Sequence, residues 1–302
     1  MTTFLFLVGY ALFFLSVLAL LFFLKNRSRQ DRTPFPENTR LLRGPGESLR
    51  RKMLQLDDKI TDSLLVGVLV PAFALGVIIF IASQCEGWIQ LVLAGLGVVA
   101  FIVLIIAMAR RSLAIIERRS NTNLGYFGER IVAEHLEPLK AAGHKVLHDV
   151  PVGDPPAGST TPPFNLDHVV VGPAGIFAIE TKTRRKGRAR VGFMAHEIIY
   201  DGRALSYPWG EDRYGLDQAL RQAEWLCTHL ERQLGRTVPV YPLLVFPGWM
   251  IIRKAAGAVN VLNPRELPAA IMPSGSLTPA LDSATIDLIA RQLEARCRDV
   301  EL

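Results

Sequence analysis

The stretch GIFAIETK, residues 175–182, decides how the second half of this chain folds. Small and apolar residues lead directly into Glu180, a pattern typical of a buried strand that ends in polar side chains. A second apolar run, VVV at 169–171, follows Asp167, and a Gly-rich turn connects the two runs. The sequence therefore predicts a β-hairpin with Asp167 on its first strand and Glu180 and Lys182 on its second.

The side chains of Glu180 and Lys182 are expected on one face of the sheet, because successive strand residues alternate between faces. Two carboxylates and one ammonium at a sheet edge can hold a divalent metal ion and orient a water for phosphodiester hydrolysis. The alternative is a solvated ion pair, with Asp167 as a turn residue at the start of its strand. The apolar run before Glu180 favours a site, since a buried carboxylate without a partner is costly.

The first 120 residues are predicted to form a membrane region. Hydrophobic residues make up 50% of the 302-residue chain, and the mean hydropathy of +0.25 is high for a soluble protein. Three uncharged runs, at 4–24, 64–83 and 88–109, are each long enough to cross the ~30 Å hydrocarbon core of a bilayer as an α-helix. The first run lacks a cleavage-site pattern and is predicted to be a retained anchor.

Basic residues predict the orientation of these spans. Ten Lys and Arg residues lie in the loop 25–63, while the tail before the first span and the turn 84–87 contain none. Because cytoplasmic loops collect Lys and Arg, the N-terminus is expected outside and everything after residue 110 inside. The sequence thus predicts an integral protein of a bacterial inner or cell membrane, with the lipid bilayer as a partner. A short amphipathic helix on the membrane surface is predicted over 47–60.

The net charge of +6 does not identify a ligand. Residues 1–120 contain 14 basic and 8 acidic residues, whereas residues 121–302 contain 20 of each. The whole excess therefore belongs to the membrane region, and it says nothing about what the second half of the chain binds.

Residues 121–302 are predicted to form one α/β domain. Besides the hairpin, helices are predicted over 124–142, 216–234, 265–272 and 283–298, and strands over 145–150, 191–201 (a pair), 238–246 and 258–262. A flexible loop is predicted at 153–163. This order of elements is typical of a mixed central sheet flanked by helices.

Three motifs in this domain resemble the nuclease-related domain family (NERD), which is placed in the PD-(D/E)XK nuclease superfamily. They are GYFGERIVA at 125–133, NLDHVVV at 165–171 and GIFAIETK at 175–182, and the resemblance covers about residues 121–250. It implies a restriction-endonuclease-like fold and the hydrolysis of DNA or RNA with Mg²⁺ or Mn²⁺ as cofactor.

The resemblance also implies roles for five residues. Glu129, Asp167 and Glu180 would hold the metal ion, and Lys182 would orient the attacking water and steady the developing charge. Gln218 would contact a phosphate or that water, although the Asn-Pro pair that the family often has before this glutamine is replaced by Tyr-Gly.

A basic run follows the hairpin directly and predicts a contact with nucleic acid. Besides Lys182, its members are Arg184, Arg185, Lys186, Arg188 and Arg190. A solvated turn and a contact with anionic lipid are the alternatives.

The sequence as a whole predicts a membrane-anchored, metal-dependent nuclease that acts on the cytoplasmic side. The alternative is a non-catalytic module on the same fold that binds or senses nucleic acid or protein. The balanced charge of residues 121–302 favours that alternative, and a fold does not guarantee its chemistry.

Overall fold

The computed structural model describes residues 39–153, 164–272 and 281–300, together with residues 8–10, 12–17, 19–20 and 23. Residues 154–163 of the predicted loop 153–163, and residues 25–38 of the predicted basic loop 25–63, lie outside these ranges. The chain divides into two compact units. One comprises residues 1–37 and 52–121, and the other comprises residues 38–51 and 122–302.

Helices and strands are interspersed along the described part of the chain. They are β1 (Leu41–Leu42), α1 (Glu47–Ala82), α2 (Trp88–Ala141), β2 (Lys145–Pro151), β3 (Asn165–Gly172), β4 (Gly175–Thr181), β5 (Glu197–Tyr200), β6 (Leu205–Tyr207), β7 (Gly210–Asp212), α3 (Tyr214–Leu234), β8 (Val240–Val245), β9 (Met250–Arg253), β10 (Asn260–Leu262), a 3-10 turn (Pro264–Glu266), α4 (Leu267–Ile271), α5 (Ser283–Cys297) and β11 (Arg298–Val300).

Two helices, α1 and α2, are long and apolar enough to cross a membrane by length and composition. Of the most apolar 18-residue stretch of each helix, only 11% is buried in α1 and 6% in α2. A core helix of a soluble protein would be mostly buried. The predicted first span at 4–24 lies partly outside the described residues, and its described part is helical. Among the described residues there are therefore two long apolar helices, and the first of the three predicted spans stays a prediction.

The short surface helix predicted over 47–60 is wrong in its extent. These residues form the first part of α1, which continues without interruption to Ala82. The predicted connector 25–63 is likewise structured over its described end, where β1 pairs antiparallel with β11. The amphipathic pattern over 47–60 and the apolar pattern over 64–83 predict two separate elements. No glycine or proline lies in residues 47–63, however, so one helix continues through both patterns.

The larger sheet has the order β10-β8-β4-β3-β2 and is mixed, as predicted. Strands β10, β8 and β4 are parallel to one another, and β3 is antiparallel to both β4 and β2. Along β4, Ile176 and Ala178 face the core that α3 and α5 form, while Phe177 and Ile179 face the core formed with α2 and α4. Successive side chains of β4 thus pack alternately against the helix layers on the two faces of the sheet.

A smaller sheet of order β7-β6-β5-β9 lies beside the first. The strand pair predicted at 191–201 is shifted, because β5 begins at Glu197 and pairs with β6. Asp201 sets this turn, since its Oδ1 accepts hydrogen bonds from the backbone N–H groups of Arg203 and Ala204 at 2.8 and 2.7 Å. A third core, which includes Leu216 and Leu244, joins the smaller sheet to α3 and β8.

Candidate active site

The predicted hairpin is present and brings its two acids together. In the antiparallel register of β3 and β4, His168 pairs with Ile179. Asp167 precedes His168 and Glu180 follows Ile179, so the two acids are neighbours across the two strands. The backbone N–H of Thr181 donates a hydrogen bond of 2.7 Å to Oδ2 of Asp167. The sheet itself therefore fixes one carboxylate beside the other.

Glu180 and Lys182 share one face of the sheet, as predicted, and α3 covers that face. Nζ of Lys182 lies 2.7 Å from Oε1 of Glu180 and donates a hydrogen bond of 2.8 Å to Oε1 of Gln218. Gln222 donates from Nε2 to the other oxygen of Glu180. Residues four apart share a helix face, so Gln218 and Gln222 reach the same pair of strand residues. Sequence reasoning missed Gln222, although its spacing from Gln218 was a usable signal.

Glu129 lies on α2, well past the apolar part of that helix. The residue is 6% exposed. The backbone N–H of Gly46 donates to its carboxylate, and among the described residues its Oε2 has no hydrogen-bond partner. The neighbouring Gly128 allows α2 to lie close to Thr183, just after β4, because a Cβ atom at Gly128 would lie 2.5 Å from Cγ2 of Thr183. The glycine of the Gly-Glu motif thus lets the helix meet the end of β4.

The pKa values of all three acids are raised, mainly by burial. Burial, then repulsion from Asp149 and Glu180, raises the pKa of Glu129 to about 8. Burial and the charges of Glu180 and Glu129 raise the pKa of Asp167 well above its usual range. Burial also raises the pKa of Glu180, while Lys182 opposes that rise. A cluster of acids with raised pKa values needs positive charge or protons to be stable.

The donor set suits a hard divalent cation, because Mg²⁺ and Mn²⁺ prefer carboxylate oxygens. The buried Oε2 of Glu129 without a partner is the atom that such an ion would satisfy. However, in the described ranges no group of three His, Cys, Asp or Glu side chains is arranged to hold a metal ion. Glu180 is instead engaged by Lys182 and Gln222.

Asp149, on β2, is a further buried acid that sequence reasoning missed. It is 1% exposed and has a φ of 49°, which is rare for a residue other than glycine. Its carboxylate accepts hydrogen bonds from the backbone N–H and the hydroxyl of Ser48, at 2.7 and 2.8 Å, and from Asn165 at 2.9 Å. Arg43 pairs with it at 3.3 Å. The segment that contains Gly46 is therefore fastened beside the acid cluster.

Two residues of the predicted basic run, Arg184 and Lys186, lie over aromatic rings in and beside the smaller sheet. The guanidinium carbon of Arg184 is 5.7 Å from the ring centroid of Tyr207, and Nζ of Lys186 is 5.6 Å from that of Trp249. Arg184 also pairs with Asp212 at 3.4 Å. Arg184 and Lys186 are both exposed, which leaves their charge accessible to a ligand.

Arg190, the last member of the run, has a different environment. It donates hydrogen bonds to the backbone oxygens of Pro208 and Tyr207, at 3.3 and 3.5 Å. Its guanidinium carbon also lies 4.7 Å from the ring centroid of Phe193. These contacts tie the end of the run to the smaller sheet.

Comparison with protein families finds a match to part of the chain. Residues 124–247 match the family described as nuclease-related domain, NERD. Comparison with curated proteins and with solved structures gives no match. The matched range contains Glu129, Asp167, Glu180 and Lys182, and thus all three motifs that carried the resemblance. The resemblance to the nuclease-related domain family is therefore confirmed over residues 124–247.

Proposed function

We propose that this protein is a membrane-anchored, metal-dependent nuclease that hydrolyses phosphodiester bonds of DNA or RNA on the cytoplasmic side of the membrane. One observation carries the proposal. Three acids with raised pKa values, the buried Glu129 and Glu180 and the partly buried Asp167, adjoin a lysine that Glu180 and Gln218 hold in position. A nuclease-related domain supports the substrate class.

Glu129, Asp167 and Glu180 would hold Mg²⁺ or Mn²⁺, and the ion would supply Lewis acidity toward the phosphodiester. Lys182 would contribute a fixed positive charge. Its ammonium has three N–H donors, of which Glu180 and Gln218 accept two, so that the third can meet a phosphate oxygen or the attacking water. Gln218 holds this ammonium, and its own amide N–H groups can orient a water beside it.

Metal binding tests this proposal and has a defined pH dependence. The pKa of Glu129 is about 8, so at neutral pH the carboxyl holds a proton that the metal ion must displace. The apparent affinity for Mn²⁺ should therefore increase as pH rises toward about 8, by up to about tenfold per pH unit, and then level off. Titration of the full chain, followed by the paramagnetic resonance of free Mn²⁺, measures this dependence.

The Glu129→Gln variant is the matched control for this titration. It keeps the shape of the side chain but has no titrating carboxyl, so its affinity should be lower and should change less with pH. Equal affinities for both proteins, or no saturable Mn²⁺ binding by the wild-type chain, would contradict the assignment of Glu129 as a metal ligand.

A non-catalytic binding or sensing module is the second candidate function. It is favoured by the engagement of Glu180 with Lys182 and Gln222, and by the lack of a three-acid metal arrangement among the residues described. Such a module would bind nucleic acid or protein without metal, and the substitutions Asp167→Asn and Glu180→Gln would leave its binding unchanged.

The exposed apolar surfaces of α1 and α2 support anchoring in a lipid bilayer. The basic residues of the 25–63 loop support a cytoplasmic location for the nuclease-related domain. In this orientation Cys85, in the turn between α1 and α2, is extracellular, while Cys227 and Cys297 are intracellular.

A membrane-impermeant thiol reagent added to intact cells should therefore label Cys85 and no other cysteine. Cys227 is partly exposed and should react only after permeabilisation, and the Cys85→Ser variant should give no labelling of intact cells. Labelling of Cys227 in intact cells would reverse the orientation and exclude a cytoplasmic substrate.

A further inference from the structure

Tyr214 is an exposed aromatic residue beside the candidate reacting centre. It is the first residue of α3 and is 60% exposed. Nζ of Lys182 lies 5.1 Å from its ring centroid, and the same ammonium lies 2.7 Å from Oε1 of Glu180. A single side chain therefore separates the Tyr214 ring from a candidate metal ligand.

The position of this ring is fixed by the packing of the start of α3. Oδ1 of Asp212 accepts a hydrogen bond of 3.2 Å from the backbone N–H of Tyr214. The next residue is Gly215, where a Cβ atom would lie 3.2 Å from Leu244 and 3.5 Å from Cγ of Lys182. The glycine thus lets the helix start lie close to β4 and β8, with the tyrosine on the solvent side. Gly215, one of the two residues that depart from the family pattern, therefore has a structural reason.

The surface around Tyr214 suits a nucleic-acid strand. Arg184, which pairs with Asp212, and Lys186 are exposed cations on the segment that leaves the site. Proteins that bind single strands combine such cations, which contact the backbone, with aromatic rings on which bases stack. In a duplex each base has its faces covered by neighbouring pairs, so only an unpaired base can present a face to the ring.

We propose that the substrate is single-stranded nucleic acid, and that Tyr214 stacks on an unpaired base next to the phosphate that Lys182 contacts. Arg184 and Lys186 bind the backbone of the same strand. The proposal rests on the proposed nuclease function for the identity of the reacting centre. The binding it describes needs neither metal nor catalysis, so it can be tested separately.

The test is the binding of a short labelled single strand to the full chain in nanodiscs of zwitterionic lipid, measured by fluorescence anisotropy in EDTA. The single strand should bind at least about tenfold more tightly than a duplex of the same length. The Tyr214→Ala variant should lose about 5- to about 150-fold in affinity for the single strand, the range for one stacked base. The Tyr214→Phe variant, which keeps the ring, should stay within about threefold of wild type.

Tyr241→Ala is the matched control, because Tyr241 is 45% exposed but lies at the other end of the sheet, where it pairs with Phe177. It should bind the single strand like wild type. Equal affinity for duplex and single strand, or no effect of Tyr214→Ala, would overturn the proposal even if the protein cleaves nucleic acid. The proposal would also be wrong if Tyr214→Ala weakened binding to anionic lipid vesicles but not binding to the single strand. Tyr214 would then be a membrane contact. Tyr214-dependent binding of single strands without any cleavage would support the proposal and contradict the nuclease function instead.

Discussion

Glu180→Gln and Asp167→Asn are each expected to lower the rate of phosphodiester cleavage by at least about a thousandfold. A metal ion contributes several kcal/mol of charge stabilisation in the transition state, and each ~1.4 kcal/mol is worth tenfold in rate. Both substitutions remove a carboxylate while keeping the size and shape of the side chain. The measurement is the initial rate of cleavage by the full chain in Mg²⁺.

Glu211→Gln is the matched control for these two variants. Glu211 is an exposed carboxylate on β7, outside the acid cluster, and its substitution should leave the rate within about twofold of wild type. Rates within about tenfold of wild type for both Glu180→Gln and Asp167→Asn would mean that these carboxylates hold no catalytic metal.

Asp149→Ala should produce the largest loss of stability among the acids near the site. The substitution leaves the buried guanidinium of Arg43 without this partner and removes three hydrogen-bond contacts to Ser48 and Asn165. Because Arg43 keeps its pair with Asp299, the cost comes mainly from the buried donors that lose their acceptor, and it is about 3 kcal/mol. For a unit of this size the melting temperature should fall by about 10 °C, measured by tryptophan fluorescence of the full chain in detergent.

Asp287→Ala provides the comparison, because Asp287 also pairs with a cation, Lys145, but on the surface. Exposed ion pairs contribute about 1 kcal/mol or less, so its melting temperature should change by no more than about 4 °C. A melting temperature for Asp149→Ala within about 2 °C of wild type would show that the segment around Ser48 is not fastened through this aspartate.

The hairpin of the candidate site was predictable because its signal is local. The apolar run before Glu180, the alternation that puts Lys182 on the same face, and the turn after β3 all lie within one stretch of sequence. The two helix layers were predicted from the order of the elements, and the continuous apolar run of β4 packs against both of them.

The role of Asp149 was not predictable, because its partners come from distant parts of the chain. Ser48 is 101 residues away and Arg43 is 106 residues away in sequence, and neither lies in a motif. Strands β1 and β11 are two and three residues long, too short to show a period. Long-range pairing of this kind leaves no trace in the pattern of a single sequence.

Cleavage by the wild-type full chain is the most direct test of the account. The whole chain is needed, because a fragment that begins at residue 121 would lose Arg43, Gly46 and Ser48. Labelled single-stranded and double-stranded DNA and RNA are incubated with the protein in Mg²⁺ or Mn²⁺, then with excess EDTA, and then with the metal restored. A metal-dependent nuclease should cleave only once metal is present, stop in EDTA and resume when metal is returned. Cleavage that continues in EDTA, or no cleavage of any of these nucleic acids with either ion, would contradict the proposed function.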